Sequence, residues 1–360
     1  MTAGKSQLEP LGWGPFFANA VPPAGVRFDR PARITGVEKG YWFADSGEGE
    51  PHLATLTGKF RETAVTQDAL PAVGDWIGMD IHPGGANIVW LFPRRTMLIR
   101  KAAGRDSAPQ LLAANVDTAL VVTSMDDDFS PARLERYLAV IREGGVRPVI
   151  LLSKADRCDD PAPFEKAAKE AARNVPVHLI SAKTGSGLDD VAVYLTPAST
   201  TVLIGSSGVG KSTLMNRLAG SYIAATREVR ESDHKGRHTT TSRNLYKLPS
   251  GALIIDTPGM RELALWESAS GLKETFEDIE RLASGCRFTD CTHDTEPGCA
   301  VKAAIESGAL DRRRLESWHK LRREAARSGP DAKQKAKQRE KQISKRIRQF
   351  YRDRDQRDEE

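Results

Sequence analysis

Gly205-Ser206-Ser207-Gly208-Val209-Gly210-Lys211-Ser212, with Thr213 next, stands directly after an apolar run at 201–204 and at the head of a helical pattern at 212–218. This placement constrains the fold more than any other feature, because a strand must deliver the chain into a tight glycine turn and a helix must carry it away. Glycines let the backbone wrap closely around a phosphate, so that successive N–H groups and the helix N-terminus face negative charge. On that reading Lys211 reaches the β- and γ-phosphates of a nucleotide and the Ser212 hydroxyl ligates Mg²⁺. The alternative is a glycine-rich turn that holds no ligand.

The 360 residues exceed the usual size of one domain. Short β-branched and aromatic runs at 33–37, 41–44, 52–56, 75–81 and 87–91, separated by turn formers, predict a small all-β barrel over 32–99. Beyond residue 100, apolar runs at 116–123, 148–152, 175–180, 201–204 and 252–255 alternate with helical segments. That alternation predicts a parallel sheet covered on both faces, an α/β domain over 105–268. Residues 1–31, with Trp13, Phe16 and Phe17 but no period, read as a partly docked extension; 269–327 read as a helical, cysteine-bearing domain and 328–360 as a basic tail.

Charge is unevenly spread. Residues 311–360 hold 18 Lys and Arg against 10 Asp and Glu, while the rest of the chain holds 35 against 38. A basic tail on a near-neutral body suggests a polyanionic partner, RNA first among them. No run approaches eighteen apolar residues and the N-terminus lacks a basic segment followed by an apolar one, so a cytoplasmic protein without membrane spans is expected. No heptad seam calls for a dimer, and a monomer is expected.

Three of the four cysteines cluster as Cys286-x4-Cys291-x-His293-x5-Cys299. Three thiolates and an imidazole form a complete tetrahedral set for structural Zn²⁺, with no position left for water. Reduced core cysteines or a redox pair are the alternatives, but the stretch also carries Asp290, Thr292, Asp294 and Pro297, unsuited to a core. Cys158, far away in sequence, reads as a lone thiol.

A phosphate loop does not choose a base. Ser153-Lys154-Ala155-Asp156, at the end of the 148–152 run, resembles the guanine-reading motif of GTPases, with Ser where Asn or Thr is usual. The Asp156 carboxylate accepts from N1–H and the exocyclic amine of guanine, donors that adenine does not offer in that arrangement, and the Lys154 stem covers the ring. Taken alone, the tetrapeptide also fits a surface turn with an ion pair. Ser181-Ala182-Lys183, after the next run, resembles the second base loop. Asp256-Thr257-Pro258-Gly259 matches the Asp-x-x-Gly switch, in which Asp256 holds Mg²⁺ through water and the Gly259 N–H senses the γ-phosphate. Between them, Arg237-His238-Thr239-Thr240-Thr241 offers the switch threonine that closes over Mg²⁺, Thr240 first and then Thr239, or else a solvated loop with incidental threonines.

These motifs stand in an unusual order, both base loops before the phosphate loop. The order implies a circularly permuted GTPase domain with its new joint at 195–200, and it leads the chain from the Asp256 switch straight into the cysteine-rich region. With the barrel and the cysteine pattern, the chain resembles the bacterial ribosome small-subunit-dependent GTPases, the circularly permuted GTPases of small-subunit maturation. The resemblance spans about 32–321, including Gly74-Asp75-Trp76 and Gly236-Arg237-His238-Thr239-Thr240-Thr241.

It implies a multidomain fold: an N-terminal OB barrel, a central permuted α/β P-loop GTPase and a C-terminal α zinc-binding domain. It also implies GTP/GDP, Mg²⁺ and one structural Zn²⁺, hydrolysis stimulated by the small ribosomal subunit late in assembly, and contact of barrel and zinc region with its rRNA. Met260 stands where signalling GTPases carry the glutamine that orients water, so unassisted hydrolysis is expected to be slow. His238 is the candidate to position water once the subunit orders its loop, the alternative being an exposed loop histidine. The competing function is an RNA-binding assembly chaperone in which nucleotide is structural; an ATPase or kinase is disfavoured by Asp156.

Overall fold

The short β-branched and aromatic runs set the architecture at the N-terminal end. In the computed structural model, which describes residues 5–38, 40–64, 69–101, 109–221, 243–256 and 269–328, the chain divides into two units, Met1–Ala264 and Leu265–Glu360. The first unit opens with β1 (Arg30–Glu38), β2 (Tyr41–Asp45), β3 (His52–Leu56), β4 (Trp76–His82) and β5 (Gly85–Leu91). Their order is β1-β2-β3-β5-β4, and a β1–β4 pairing closes the ring, the five-stranded arrangement of an OB-fold. Each strand sends two residues inward at period two: Ala32 and Ile34, Trp42 and Ala44, Ala54 and Leu56, Ile77 and Met79, Ala86 and Ile88. Trp76, next to inward Ile77, faces the other way. There Leu8, Leu11 and Phe17 pack against it and Phe92, with the Trp13 ring 4.7 Å from that of Trp76. Residues of the N-terminal segment thus serve as a hydrophobic cover, which is why they carry no strand or helix period.

A two-stranded ribbon, β6 (Met97–Lys101) and β7 (Pro109–Ala114), leads into β8 (Thr118–Ser124), β9 (Arg147–Ser153), β10 (Val177–Leu179), β11 (Thr200–Ile204), β12 (Arg243–Lys247) and β13 (Leu253–Asp256). The order β10-β9-β8-β11-β13-β12 is parallel except at its edge, where β12 runs antiparallel to β13. All seven residues of β8 are buried, so both faces of the sheet are covered, in keeping with the near-continuous apolar runs. One face packs Leu120, Val122, Leu151 and Leu203 against Val191, Leu214 and Met215.

The expected parallel sheet is formed by these five runs, and β12 adds an antiparallel strand to it. Arg-Asn-Leu-Tyr-Lys is half-buried and largely polar, and its antiparallel course lets it pair on its other side with β1, Gly36 opposite Asn244 and Val37 opposite Arg243. Barrel and sheet are thereby one continuous eleven-stranded sheet. The ribbon and β12 are the two strand features that the residue pattern does not announce.

Gly74-Asp75-Trp76 lies at the seam. Gly74 has φ +89°, and a Cβ there would sit 2.1 Å from the Ala114 carbonyl oxygen. Buried Asp75 takes a two-pronged bond from Arg94, Nε at 2.8 Å and a terminal nitrogen at 2.7 Å. Arg33, 1% exposed, spans the seam: its guanidinium donates to the carbonyls of Leu11, Gly74 (3.3 Å) and Asn115 (3.2 Å) and to the Thr200 hydroxyl (2.8 Å). Burial lowers its pKa to about 10, which leaves it charged at neutral pH. One side chain so joins the N-terminal cover, the barrel, the ribbon exit and the first residue of β11.

In the second unit, the helices Ala269–Thr275, Glu277–Ala283, Ala300–Glu306 and Arg312–Ser328 surround Leu272, Phe276, Ile279, Val301 and Leu321. Asp278 and Arg314 form a buried fork at 2.7 and 2.9 Å, and Arg314 also donates to the Thr275 carbonyl at 2.8 Å.

Arg33→Ala would take this donor from the buried carbonyls of Leu11 and Asn115, while that of Gly74 keeps the Asn115 amide at 3.0 Å, and an unmet buried polar group costs about 1–3 kcal/mol. We expect a loss of at least about 2 kcal/mol in urea unfolding followed by tryptophan fluorescence, against about 1 kcal/mol for Thr200→Val. Equal losses for the two variants would contradict the assignment of Arg33 as the seam.

Candidate functional site

Parallel strands end at one edge, and register decides which residues meet there. Ser124 pairs with Ser153, Leu152 with Leu179, Val121 with Ile204 and Val202 with Ile255. The connections that follow β8, β9, β10 and β11 therefore leave from the same edge of the sheet, at which β13 also ends. They carry residues 125–130, Lys154 and Asp156, Ser181 to Lys183 and the 205–210 loop, with Asp256 at the end of β13. The joint is pinned from both sides: the Ala198 N–H donates to Gly251 at 2.9 Å and the Leu253 N–H to Ser199 at 2.8 Å.

The glycine loop has the conformation its sequence demands. Gly205 (φ +150°) passes so close to β8 that a Cβ would lie 2.1 Å from the Val122 carbonyl oxygen, and Gly208 (φ +83°) and Gly210 (φ +99°) are left-handed. Lys211 opens the helix Lys211–Ala219, and its ammonium donates to the Gly205 carbonyl at 2.8 Å and to that of Ser206. Ser207 and Gly208 are exposed at the crest, whereas Val209 is buried under it. Ser212 and Thr213 follow in the first helical turn, half-buried and exposed.

The base-loop candidates are tied to this loop directly. The buried Ser153 hydroxyl lies 2.7 Å from the Val209 carbonyl, to which it donates, and 3.2 Å from that of Thr123. A hydroxyl thus bridges the two loops at the position where an amide is usual. Lys154 has φ +62°, and the exposed Asp156 carboxylate accepts from the Ser181 hydroxyl at 2.6 Å, which holds it below the usual carboxylate range. The Thr184 N–H donates to the same Ser181 oxygen at 3.1 Å. Ala182 and Lys183 continue that turn, half-buried and exposed. Asp256 closes β13, beside the strand that feeds the glycine loop. Lys211 and Asp156 accordingly belong to one chain of contacts.

The residue pattern did not single out the connection after β8. Asp126 accepts from the Lys154 ammonium at 2.9 Å, and Arg133 donates to both Asp128 and Ser206. The signal was available: Asp126-Asp127-Asp128 directly follows an apolar strand at the same edge. His238, Thr239, Thr240, Gly259, Met260 and the basic tail at 329–360 lie outside the described residues.

In the second unit Cys286, Cys291, His293 and Cys299 come together, their ligand atoms all within 4.8 Å of one another. Cys286 Sγ lies 3.8 Å from Cys299 Sγ, and His293 Nδ1 lies 3.6 and 3.5 Å from those two sulfurs. A tetrahedron with Zn–S bonds of about 2.3 Å has edges of about 3.8 Å, so the donor set fits zinc. His293 points Nδ1 inward from a left-handed backbone (φ +65°), and burial lowers its pKa, which favours the neutral ring a metal needs. Glu296 fixes the loop between ligands: it accepts from the Thr292 hydroxyl and from the N–H groups of Thr292, Asp294 and Thr295, which holds it near about 2.

Comparison with known proteins agrees with this geometry. The family described as RsgA GTPase matches residues 91–266. A small ribosomal subunit biogenesis GTPase RsgA of Opitutus terrae is 45% identical over 330 residues, covering 89% of this chain and 90% of that protein. Its namesake in Streptomyces coelicolor is 42% identical over 332 residues, with 89% and 87% covered. Among solved structures, YjeQ from Thermotoga maritima superimposes with a TM-score of 0.60 at 25% identity, over 82% of this chain and 98% of that one. YloQ, described as a circularly permuted GTPase, gives 0.57 at 26% identity over 85% and 98%. At 45% identity over 89% of its length with a relative of that name, the chain belongs to the RsgA GTPase family and is a GTP hydrolase.

Proposed function

We propose that this GTPase binds the small ribosomal subunit through its rRNA and hydrolyses GTP in a subunit-stimulated manner, as a checkpoint late in the subunit's maturation. The observation that carries this reading is the meeting at one sheet edge of a phosphate loop and a guanine-type carboxylate, in a chain whose relatives are named for small-subunit biogenesis. The GTP form grips the subunit and the GDP form leaves it, as a monomer in the cytoplasm.

The roles follow from placement. The N–H groups of residues 206–212 and the Lys211 ammonium take the phosphates, an arrangement already organised by the Lys211 bonds to the loop carbonyls. Asp156 reads guanine, with Ser181, Ala182 and Lys183 along its edge and Ser153 locking that loop to Val209. Ser212 and Asp256, on adjacent elements, suit Mg²⁺, with Thr240 as the switch ligand and Gly259 as the γ-phosphate sensor. Magnesium supplies the positive charge that offsets charge building on the phosphoryl oxygens. Met260 cannot orient water, and this task falls to His238.

GTP turnover measured with and without purified small subunits tests the function: a large stimulation is expected, and an unchanged rate would reject it. Asp156→Asn places an amide N–H donor where guanine offers donors and xanthine a carbonyl, so the variant should lose GTP affinity by about 100-fold or more and gain for XTP. Retained GTP preference in competition binding would reject the base assignment. Because the Ser181 hydroxyl holds Asp156 below the usual carboxylate range, the carboxylate is charged at every pH between 8 and 5. The ratio of GDP to ADP affinity, in which phosphate ionisation cancels, should therefore be flat from pH 8 to 5; a step near pH 6 would contradict it. Metal analysis should find one zinc per chain and next to none in Cys299→Ala; undiminished zinc in that variant would remove the metal assignment.

A further inference from the structure

The connection after β8 supplies none of the motifs read above, yet it touches both halves of the site. Ser130 caps the helix Pro131–Glu143 and fixes Arg133 in its first turn. From there one terminal nitrogen of Arg133 donates to Asp128 at 2.7 Å and to the Ser206 hydroxyl. Ser206 is the second residue of the phosphate loop, and its carbonyl accepts from Lys211. Arg133 and Lys211 therefore hold Ser206 through its two different oxygens. Tyr137, one helical turn on, is buried beside Arg133 and Ser206. Four residues before Ser130 on the chain, the same connection reaches the base side: Asp126 accepts from the Ser124 hydroxyl at 2.8 Å and from the Lys154 ammonium at 2.9 Å.

We propose that Arg133, oriented by Asp128, is a positioning residue of the phosphate site, which acts through the Ser206 hydroxyl to hold the crest of the loop in its binding shape. The physical reason is the flexibility of the crest. Gly205, Gly208 and Gly210 give the backbone its freedom, and a loop with that freedom must lose it when phosphate binds. A charge-assisted bond from a neighbouring helix removes part of that freedom in advance. Asp126 does the same for Lys154, so one strut serves both the phosphate and the base loop. Arg133 is set apart from Lys211 because it meets the loop through a side-chain hydroxyl rather than through backbone carbonyls. Loss of that hydroxyl should therefore silence it.

The inference rests on the reading of 205–213 as a phosphate loop, and the experiment separates the two. Affinity of the full chain for a fluorescent GDP analogue is measured first for the wild type; no binding there would reject the nucleotide reading itself. Given binding, Arg133→Gln should weaken it about 5- to 10-fold and Ser206→Ala by a similar factor, while Arg133→Lys, which keeps a charged donor, should recover most of the loss. The double variant Arg133→Gln/Ser206→Ala should bind no worse than the weaker single one. Unchanged affinity in Arg133→Gln, or losses that multiply in the double variant, would overturn the proposal. If Arg133→Gln does not fold, the cycle of Arg133→Lys with Ser206→Ala gives the same reading: the lysine variant should lose its residual deficit once the hydroxyl is gone, and a deficit that persists would overturn it.

Discussion

The parallel pairing of β11 between β8 and β13 is the constraint on which the site depends. It brings Gly205 within a Cβ's reach of the Val122 carbonyl, so the chain can pass from strand to helix only at a glycine. It also makes sequence order irrelevant to function. Each loop is placed by the strand it follows, and each strand by its neighbours, so a joint moved to 195–200 changes the route of the chain and leaves the edge intact. The Ser153 hydroxyl on the Val209 carbonyl is the most economical sign of this: residues 56 apart, in reversed order, share one hydrogen bond.

A second consequence concerns the barrel. The β1–β12 pairing extends the GTPase sheet into the barrel, and Arg33 reaches from β1 to Thr200, the first residue of the strand that carries the phosphate loop. Asp117 reinforces this end by accepting from the Thr200 N–H at 2.7 Å and from Arg95 at 2.8 Å. Barrel and nucleotide edge therefore lie at opposite ends of the same strand, connected by backbone ladders and a buried cation rather than by a loose linker. A surface gripped by the barrel is mechanically close to β11. The second unit, which carries the Cys3His cluster, has its own core, fork and ligand loop, and its sequence signature is correspondingly independent.

Much of this was legible because the chemistry is local. The glycine loop, the Asp156 tetrapeptide and the Cys3His spacing each carry their geometry within fourteen residues, and β-branched and aromatic runs bounded by turn formers mark all five barrel strands. What escaped has physical causes. β12 is a short, largely polar strand paired with β13 on one side and with sequence-remote β1 on the other, so no apolar run announces it. The N-terminal residues pack by aromatic insertion, with Trp13 and Phe17 against Trp76, which has no repeat to detect. Arg133 and Asp126 act through tertiary contacts with Ser206 and Lys154, 73 and 28 residues away, and only the shared sheet edge brings them there.

The central claim is that these dispersed loops make one pocket. Backbone amide NMR during a titration with GDP tests it most directly. The account predicts that resonances of Gly208 to Ser212 and of Ser181 to Lys183 shift together, with a single midpoint and one nucleotide per chain. Shifts confined to the glycine loop, or two groups moving with separate midpoints, would show that phosphate and base are not held in a common site.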